Sequence, residues 1–414
     1  MNKDKSRAIW QSVLFLCLTW IMFGSQSFAL DAGANKSANT NKNIDANKIN
    51  FLALSDIHFD PFTSCGRIKP CPLIVQLRNH AASQWPQILA KYDVNPPQFR
   101  EDTNFSLLTS TFAAAKQAAN INHAQFVLVM GDSMGHEFRS KYKNFSGDQS
   151  REGFQSFARK ELEFLTMQLS AAFPDMDVYI TMGNNDSYRG DYATNVNDTF
   201  FNDASRLWSG LINDSANRLS MQKQFEYAGY YSLSLPTPGN VRLIVLNSVL
   251  FSYKAKGKNT DKYALEELDW LHAQLQSAKD HQQHVFITMH IPEGVDIYAT
   301  LRTRLFRVIT LWKPQYIQRF QSELSMFAPE IAGIFTGHLH SDGYQIMTFG
   351  DGHEIPMIGV TSISPIFGNN PGFKLCSYQV HPFHLDDFVN YSYPIIGSKI
   401  WSQSGHAPTR LVLY

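Results

Sequence analysis

Cysteine is scarce in this chain of 414 residues: four in all, Cys17, Cys65, Cys71 and Cys376. No two have the spacing of a zinc-finger ligand pair, which argues against a structural thiolate zinc site. Charge is sparse as well, at 17% of residues, and 36 Lys and Arg balance 36 Asp and Glu. A chain without net charge lacks the broad positive field by which nucleic acid or an anionic membrane is attracted. With 44% hydrophobic residues, however, the chain is too apolar to be disordered and long enough to bury a large core. From Phe51 onward no linker-like composition and no internal repeat interrupts the sequence, so one large domain is expected.

Long apolar runs are limited to one. Lys3, Lys5 and Arg7 precede the mostly apolar stretch 8–23, and Ser27-Phe28-Ala29 places small residues where a signal peptidase reads. Residues 1–29 therefore read as a signal peptide, not a membrane span, because the run is short and no second one follows. An uncleaved anchor is the alternative. Export implies a secreted, periplasmic or other extracellular-type location, where disulfides persist. Cys65 and Cys71 are near enough in sequence to bridge, and Cys376 is left over. Residues 30–50, rich in Asn, Lys, Ala and Ser, read as a flexible linker, which leaves 51–414 as the folded body with a short C-terminal extension.

Within that body, short apolar runs alternate with helix-like stretches, the pattern of an α/β layered fold. Strands are expected at 49–54, 126–130, 178–181, 242–246, 285–289 and 331–335. Helices are expected at 107–119, 154–171, 264–278 and 314–326, with Leu265, Leu268, Leu271 and Leu275 on one face of the third. Tyr227, Tyr230 and Tyr231 alternate like a further strand, and His281 and His284 read as a solvated helix end.

Five of the apolar runs end in a turn carrying a carboxylate, carboxamide or imidazole. These are Ser55-Asp56-Ile57-His58, Gly131-Asp132, Gly183-Asn184-Asn185-Asp186, His290-Ile291-Pro292 and Gly337-His338-Leu339-His340. Ligands bind at the carboxyl ends of strands in layered α/β folds, so five such turns on one rim would form a metal-binding crater. Asp56 and His58 are two apart, as are His338 and His340, so each pair can face one ion from an extended turn. Mixed N and O donors without thiolates suit Zn, Mn or Fe. Seven donors exceed the needs of one catalytic ion, and two ions sharing Asp132 account for them better. Asp60 is either an orienting partner for His58 or a turn carboxylate, and Phe367 is an aromatic candidate for stacking near the metals.

The ordered set D-x-H, G-D, G-N, a strand-terminal His and G-H-x-H resembles the calcineurin-like metallophosphoesterase superfamily. More narrowly, it resembles the acid sphingomyelinase-like phosphodiesterases. Gly131-Asp132-Ser133-Met134-Gly135-His136 has their Asp with a His four residues on. His290-Ile291-Pro292-Glu293-Gly294 resembles their HIPxG segment, and Asn370-Pro371-Gly372-Phe373-Lys374 their NPG-aromatic-basic signature. The resemblance implies a four-layer α/β/β/α sandwich. It implies that Asp56, His58 and His340 bind one divalent ion, that Asn184, His290 and His338 bind a second, and that Asp132 bridges them, with zinc the first choice and manganese or iron the others. The implied reaction is attack of a metal-bridging hydroxide on phosphorus, with His136 as proton donor to the leaving group. Asn185 stands where the superfamily commonly has the His of G-N-H, as in the GNND variant of endopolyphosphatases. It can donate a hydrogen bond to a phosphoryl oxygen but no proton.

Sphingomyelinases of the resembled family also carry a cysteine-rich saposin module and a longer helical C-terminal domain; with three cysteines after the signal peptide and 36 residues after Tyr378, neither is expected here. The expected substrate is accordingly a small phosphodiester or phosphoanhydride, with no nucleic-acid-binding patch and no membrane span after signal removal. A phosphomonoesterase or polyphosphatase of the same fold is the first alternative. A metal-stabilised binding protein without turnover is the second.

Overall fold

Each apolar run marked from the sequence forms a strand within two residues of its expected bounds. In the computed structural model, which describes residues 47–406 apart from 93–94, 304–305, 351 and 398, these strands are β1 (Lys48–Leu54), β2 (Phe126–Val129), β3 (Asp177–Ile180), β5 (Val241–Leu246), β6 (His284–Met289) and β7 (Ile331–Thr336). Six more complete the set: β4 (Tyr231–Ser234), β8 (Gly343–Thr348), β9 (Glu354–Gly359), β10 (Gly372–Val380), β11 (Phe383–Ser392) and β12 (Ser402–His406). Residues 1–29, read from the sequence as a signal peptide, and residues 30–46 lie outside the described residues. Lys48 to Asn50, read as the end of the linker, belong to β1.

The strands form two six-stranded sheets, in the orders β12-β11-β10-β1-β2-β3 and β4-β5-β6-β7-β9-β8. In the first, the parallel strands form one edge beside three antiparallel strands; in the second, a parallel centre has one antiparallel strand on each side. β1, β2 and β3 run parallel, with Leu54 opposite Val129 and Val129 opposite Ile180. β5, β6, β7 and β9 do the same, with Leu246 opposite Met289 and Met289 opposite Thr336. Parallel strands buried on both faces read as continuous apolar runs, which made β1, β2, β3, β5, β6 and β7 legible; parallel β9, interrupted by the half-buried Pro356 and opening on the exposed Glu354, and the antiparallel strands were not.

The sheets face each other through aromatic side chains. The Phe51 ring on β1 stacks on Phe126 of its own sheet at 4.7 Å and meets Phe286 and Phe335 of the other sheet at 5.8 and 5.4 Å. Helices cover the outer faces. Phe105–Asn122 and Arg151–Ala172 bury apolar residues in one cluster with β1 to β3, and Thr260–Asp280 and Pro314–Met326 in a second with β5 to β7. The result is the expected α/β/β/α layering. Leu268, Leu271 and Leu275 of Thr260–Asp280 are fully buried. Each such side chain contributes about 1.5–3 kcal/mol, well above the few tenths by which helix propensities differ, so packing fixes this helix's face. Leu265 falls off it and is half exposed. Tyr227 ends a helix, Ser215–Ala228, and is not in a strand; Tyr231 alone of the three opens β4. His284, read as part of a helix end, begins β6 and stacks on Phe383 at 3.9 Å. Cys65 and Cys71 form a disulfide, and Cys376 is a buried free thiol on β10.

Candidate metal centre

The carboxyl ends of β1, β2, β3, β6 and β7 open into the five polar turns, and the turns meet. Their backbones are unusual. Asp56, His58, Asp132, His338 and His340 all have positive φ, between 42° and 70°. A non-glycine residue in this region costs about 1–2 kcal/mol, and strain concentrated at one rim is a mark of a functional site. Two glycines let the turns touch. A Cβ on Gly131 would lie 2.7 Å from the Gly183 nitrogen, and one on Gly183 would lie 2.1 Å from Asp132 Oδ1. Asp186 pins the same contact, because its carboxylate accepts the backbone N–H groups of Asp132, Ser133 and Gly183 at 2.8–2.9 Å.

Asp132 lies at the middle. His58 Nε2 is 3.4 Å and His290 Nε2 is 3.2 Å from its Oδ2. On one side, His340 Nε2 lies 3.3 Å from Asp56 Oδ1 and 3.2 Å from His58 Nε2. On the other, Asn184 Oδ1 lies 3.0 Å from His290 Nε2, and His338 joins Asp132 and His290 in one group of mutually close donor atoms. All seven residues nominated from the sequence are therefore in one cluster. Among them His338 is the least buried.

The imidazoles are oriented from behind. His58 Nδ1 faces the Met134 carbonyl at 3.0 Å, and His290 Nδ1 faces the Met130 carbonyl at 2.6 Å. A ring that donates from Nδ1 turns the Nε2 lone pair inward, the tautomer that metal-ligating histidines use. Asp191, which the sequence gave no reason to single out, accepts from Asn184 Nδ2 at 2.8 Å and so presents the amide oxygen to His290. Asp60 does not touch His58. It accepts the Phe62 N–H at 2.8 Å and pairs with Lys141 at 2.5 Å, the turn role of the two offered for it.

Electrostatics describe a pocket that draws in positive charge. Burial alone would raise the Asp132 carboxyl, yet His290 and His58 hold it well below the usual carboxylate range. Asp56, buried as deeply, is likewise held down by His340 and His58. Burial disfavours the charged form of His58 and His290, but Asp132 and Asp56 lift both to about 9. His338 is pushed down to about 3 by burial and by His290. His340 is pushed down to about 4 by burial, against the pull of Asp56, with His58 and His136 repelling the charge. Two protons thus balance two carboxylates, while two imidazoles stay neutral with buried lone pairs, and His340 Nδ1 has no hydrogen-bond partner. Such a donor set fits divalent cations, whose binding releases protons of this kind.

His136 and Asn185 sit beside the cluster. The His136 ring stacks on His58 at 4.0 Å, and its Nδ1 lies 2.9 Å from Asp102 Oδ1. Asn185 donates from its backbone N–H to Asp132 Oδ1 at 2.7 Å and from Nδ2 to Oδ2 at 2.9 Å. Phe367 is 69% exposed and meets His136 and His340 edge-on at 5.6 and 4.7 Å. A cavity of about 540 Å³ runs from His136 and Asn185 past Arg139 and Lys143. Asp102, in a polar turn before a helix, carried no spacing signal in the sequence.

Residues 49–342 match the model of the calcineurin-like phosphoesterase family. Sphingomyelinase phosphodiesterase D of Dictyostelium discoideum is 29% identical over 70% of this chain and 60% of its own length. The human cyclic GMP-AMP phosphodiesterase SMPDL3A is 24% identical over 74% of this chain and 66% of its own. The chain thus spans roughly three fifths to two thirds of these relatives. Among solved structures, a dimetal phosphatase from Danio rerio superposes with a TM-score of 0.48 at 13% identity, covering 86% of this chain and 98% of its own. The family match takes in the Asp56, Asp132, Asn184, His290 and His338-to-His340 turns alike, and the chain belongs to the calcineurin-like phosphoesterases.

Proposed function

We propose that the protein is an exported, dinuclear metal-dependent phosphoric ester hydrolase that cleaves small phosphodiesters or phosphoanhydrides, in the manner of the acid sphingomyelinase-like phosphodiesterases. The observation that carries this is Asp132, whose Oδ2 lies between His58 and His290. Asp56, His58 and His340 would hold one ion and Asn184, His290 and His338 the other, with Asp132 shared. Zinc is the first choice of ion, with manganese or iron the others. Bound there, such ions supply charge neutralisation at the phosphoryl oxygens and an acidified water.

The chain's own groups do the rest. Asn185 Nδ2 donates to a phosphoryl oxygen at the cost of its bond to Asp132. His136 holds a proton on Nδ1 against Asp102 and delivers the one on Nε2 to the departing oxygen. Burial would raise the Asp102 carboxyl, but its hydrogen bond with His136 and the charge of His58 keep it below the usual range, so it stays anionic and steadies the imidazolium. The disulfide and the leader-like sequence support export. A phosphoanhydride or phosphorylated leaving group is the reading that the Arg139–Lys143 cavity favours over a simple alcohol.

The test is hydrolysis of bis-p-nitrophenyl phosphate, ATP, polyphosphate and a monoester by the purified chain with added zinc or manganese, alongside elemental analysis. Turnover with two ions per chain is expected. Metal-replete protein inert toward all four substrates would overturn the proposal.

A further inference from the structure

The loop that leaves the Asn184 turn carries a residue strained like those of the rim itself. Tyr192 lies between β3 and the helix Thr199–Ser209, is buried, and has a φ of 58°. A bulky aromatic in this region is an outlier that persists only where its surroundings hold it. Here they do. Lys256 ties the loop twice, donating from Nζ to the Asp191 carbonyl at 3.0 Å and from its backbone N–H to the Tyr192 carbonyl at 2.8 Å. The Tyr192 ring packs in the same apolar cluster as side chains of β5 to β7, with the Lys254 ammonium 5.3 Å from its centroid.

Held in this way, Asp191 and Tyr192 reach three points of one ligand set. The Asp191 carboxylate accepts from Asn184 Nδ2 at 2.8 Å, and the Tyr192 N–H donates to the Asn184 carbonyl at 2.8 Å. The Tyr192 hydroxyl meets His338 Nε2 at 3.3 Å. Tyr192 and His338 are 146 residues apart in the chain, so no sequence spacing marks the pair.

The His338 contact is the reverse of those at His58 and His290. There a backbone carbonyl, which can only accept, takes the proton of Nδ1 and leaves Nε2 facing the cluster. At His338 the outer group meets Nε2, so Nδ1 is left to join Asp132 and His290, among donor atoms within 4.8 Å of one another. A hydroxyl can donate as well as accept. A ligating imidazole, however, is neutral and keeps its one proton on the nitrogen away from the ion, so Tyr192 must accept from Nε2. We infer that Tyr192, with Asp191 beside it, is a positioning residue for one ion of the pair. Asp191 turns the Asn184 amide oxygen inward, and Tyr192 holds His338 as the Nε2–H tautomer with Nδ1 toward that ion. This role rests on the dinuclear reading but needs no turnover.

Tyr192→Phe removes the hydroxyl and keeps the ring against Lys254 and the apolar cluster. Equilibrium dialysis of the full chain at buffered free zinc should show two ions in the wild type. In the variant one of them should bind about 10–100-fold more weakly and the other within about twofold, with the thermal midpoint of the metal-free protein unchanged. Asp191→Ala should weaken the same ion, so that the other keeps its affinity even in Asp191→Ala/Tyr192→Phe. Nitrogen-15 spectra of histidine-labelled, zinc-loaded wild type should show one imidazole bound through Nδ1, whose Nε2–H exchanges with water faster in Tyr192→Phe. Wild type holding fewer than two ions would overturn the dinuclear reading and this role together. Two ions held equally by wild type and variant, both ions weakened alike, or every ring bound through Nε2 would overturn the role of Tyr192 alone.

Discussion

Asp102 and His136 are joined twice. The carboxylate takes the ring Nδ1 at 2.9 Å through Oδ1 and the backbone N–H of His136 at 2.8 Å through Oδ2. It also accepts from the Ser364 hydroxyl at 3.0 Å and pairs with Lys141 at 3.3 Å. An anion held at four points fixes both the place and the tautomer of the ring, so Nε2 is the atom left to exchange a proton with substrate.

Asp102→Asn and His136→Ala should therefore lower kcat in parallel, by about 10²–10⁴ for alkyl leaving groups that need a proton. KM should change little. With p-nitrophenolate, a leaving group that departs unprotonated, both variants should keep most of their rate. An equal loss on both kinds of substrate would reduce Asp102 to a scaffold residue.

Chelation should lower thermal stability, because ions that bind only the folded state contribute about 2.7 kcal/mol per site at a hundred times their Kd. The ion-free protein should also depend on pH in a defined direction. His58 and His290 rise to about 9 when folded, so the stability they contribute is complete below about 6.5 and lost as pH rises through 9. His338 and His340 are neutral across that window and add nothing to it. Melting temperatures of chelated protein should fall from pH 6.5 to 9, while metal-loaded protein should hold steady. A flat chelated profile would remove the ascribed protons.

All of the parallel strands but β9, and the seven clustered residues, could be read from the sequence because each signal was local: an apolar run, in five cases ending in a turn with a donor. β10 and β11 could not, because polar residues, the buried Lys374 and the half-buried Asp387 among them, break any continuous apolar run. The supporting residues were illegible for a different reason. Asp102 lies 34 residues from His136, and Arg139 and Lys143 resemble any basic surface of a helix. Only the fold brings them to the cluster. Asp186 shows the middle case, since its turn was visible in the sequence but its grip on the Asp132 backbone was not.

Glu161 lies fully buried on the helix Arg151–Ala172, with neither carboxyl oxygen hydrogen-bonded. Burial, then Asp60, Asp186 and Asp102, raise its pKa well above the ordinary value. A raised acid stabilises the fold fully below about 4.3 and withdraws that stability as pH climbs toward its native pKa. Glu161→Gln should therefore melt higher than wild type at pH 7–8 and at the same temperature at pH 4. Identical curves at both would show that Glu161 is not protonated in the fold.

Arg139 and Lys143 line the cavity that begins at His136, and neither makes an ion pair among the described residues. The Arg139 guanidinium lies over the Phe154 ring at 5.8 Å, and its Nε is buried without a hydrogen-bond partner. Two carboxylates share the walls, but Asp191 is engaged by Asn184, and Glu137 is exposed to solvent. With His136 as the proposed proton donor to the departing oxygen, the leaving group would project along this cavity, where an anionic one would meet both cations. Hydrogen bonds to charged groups contribute about 1.5–3 kcal/mol each. Arg139→Ala/Lys143→Ala should therefore raise KM for ATP at least tenfold and leave bis-p-nitrophenyl phosphate within about twofold. Equal effects on both substrates would place the leaving group elsewhere on the rim, with Phe367 the next side chain to examine.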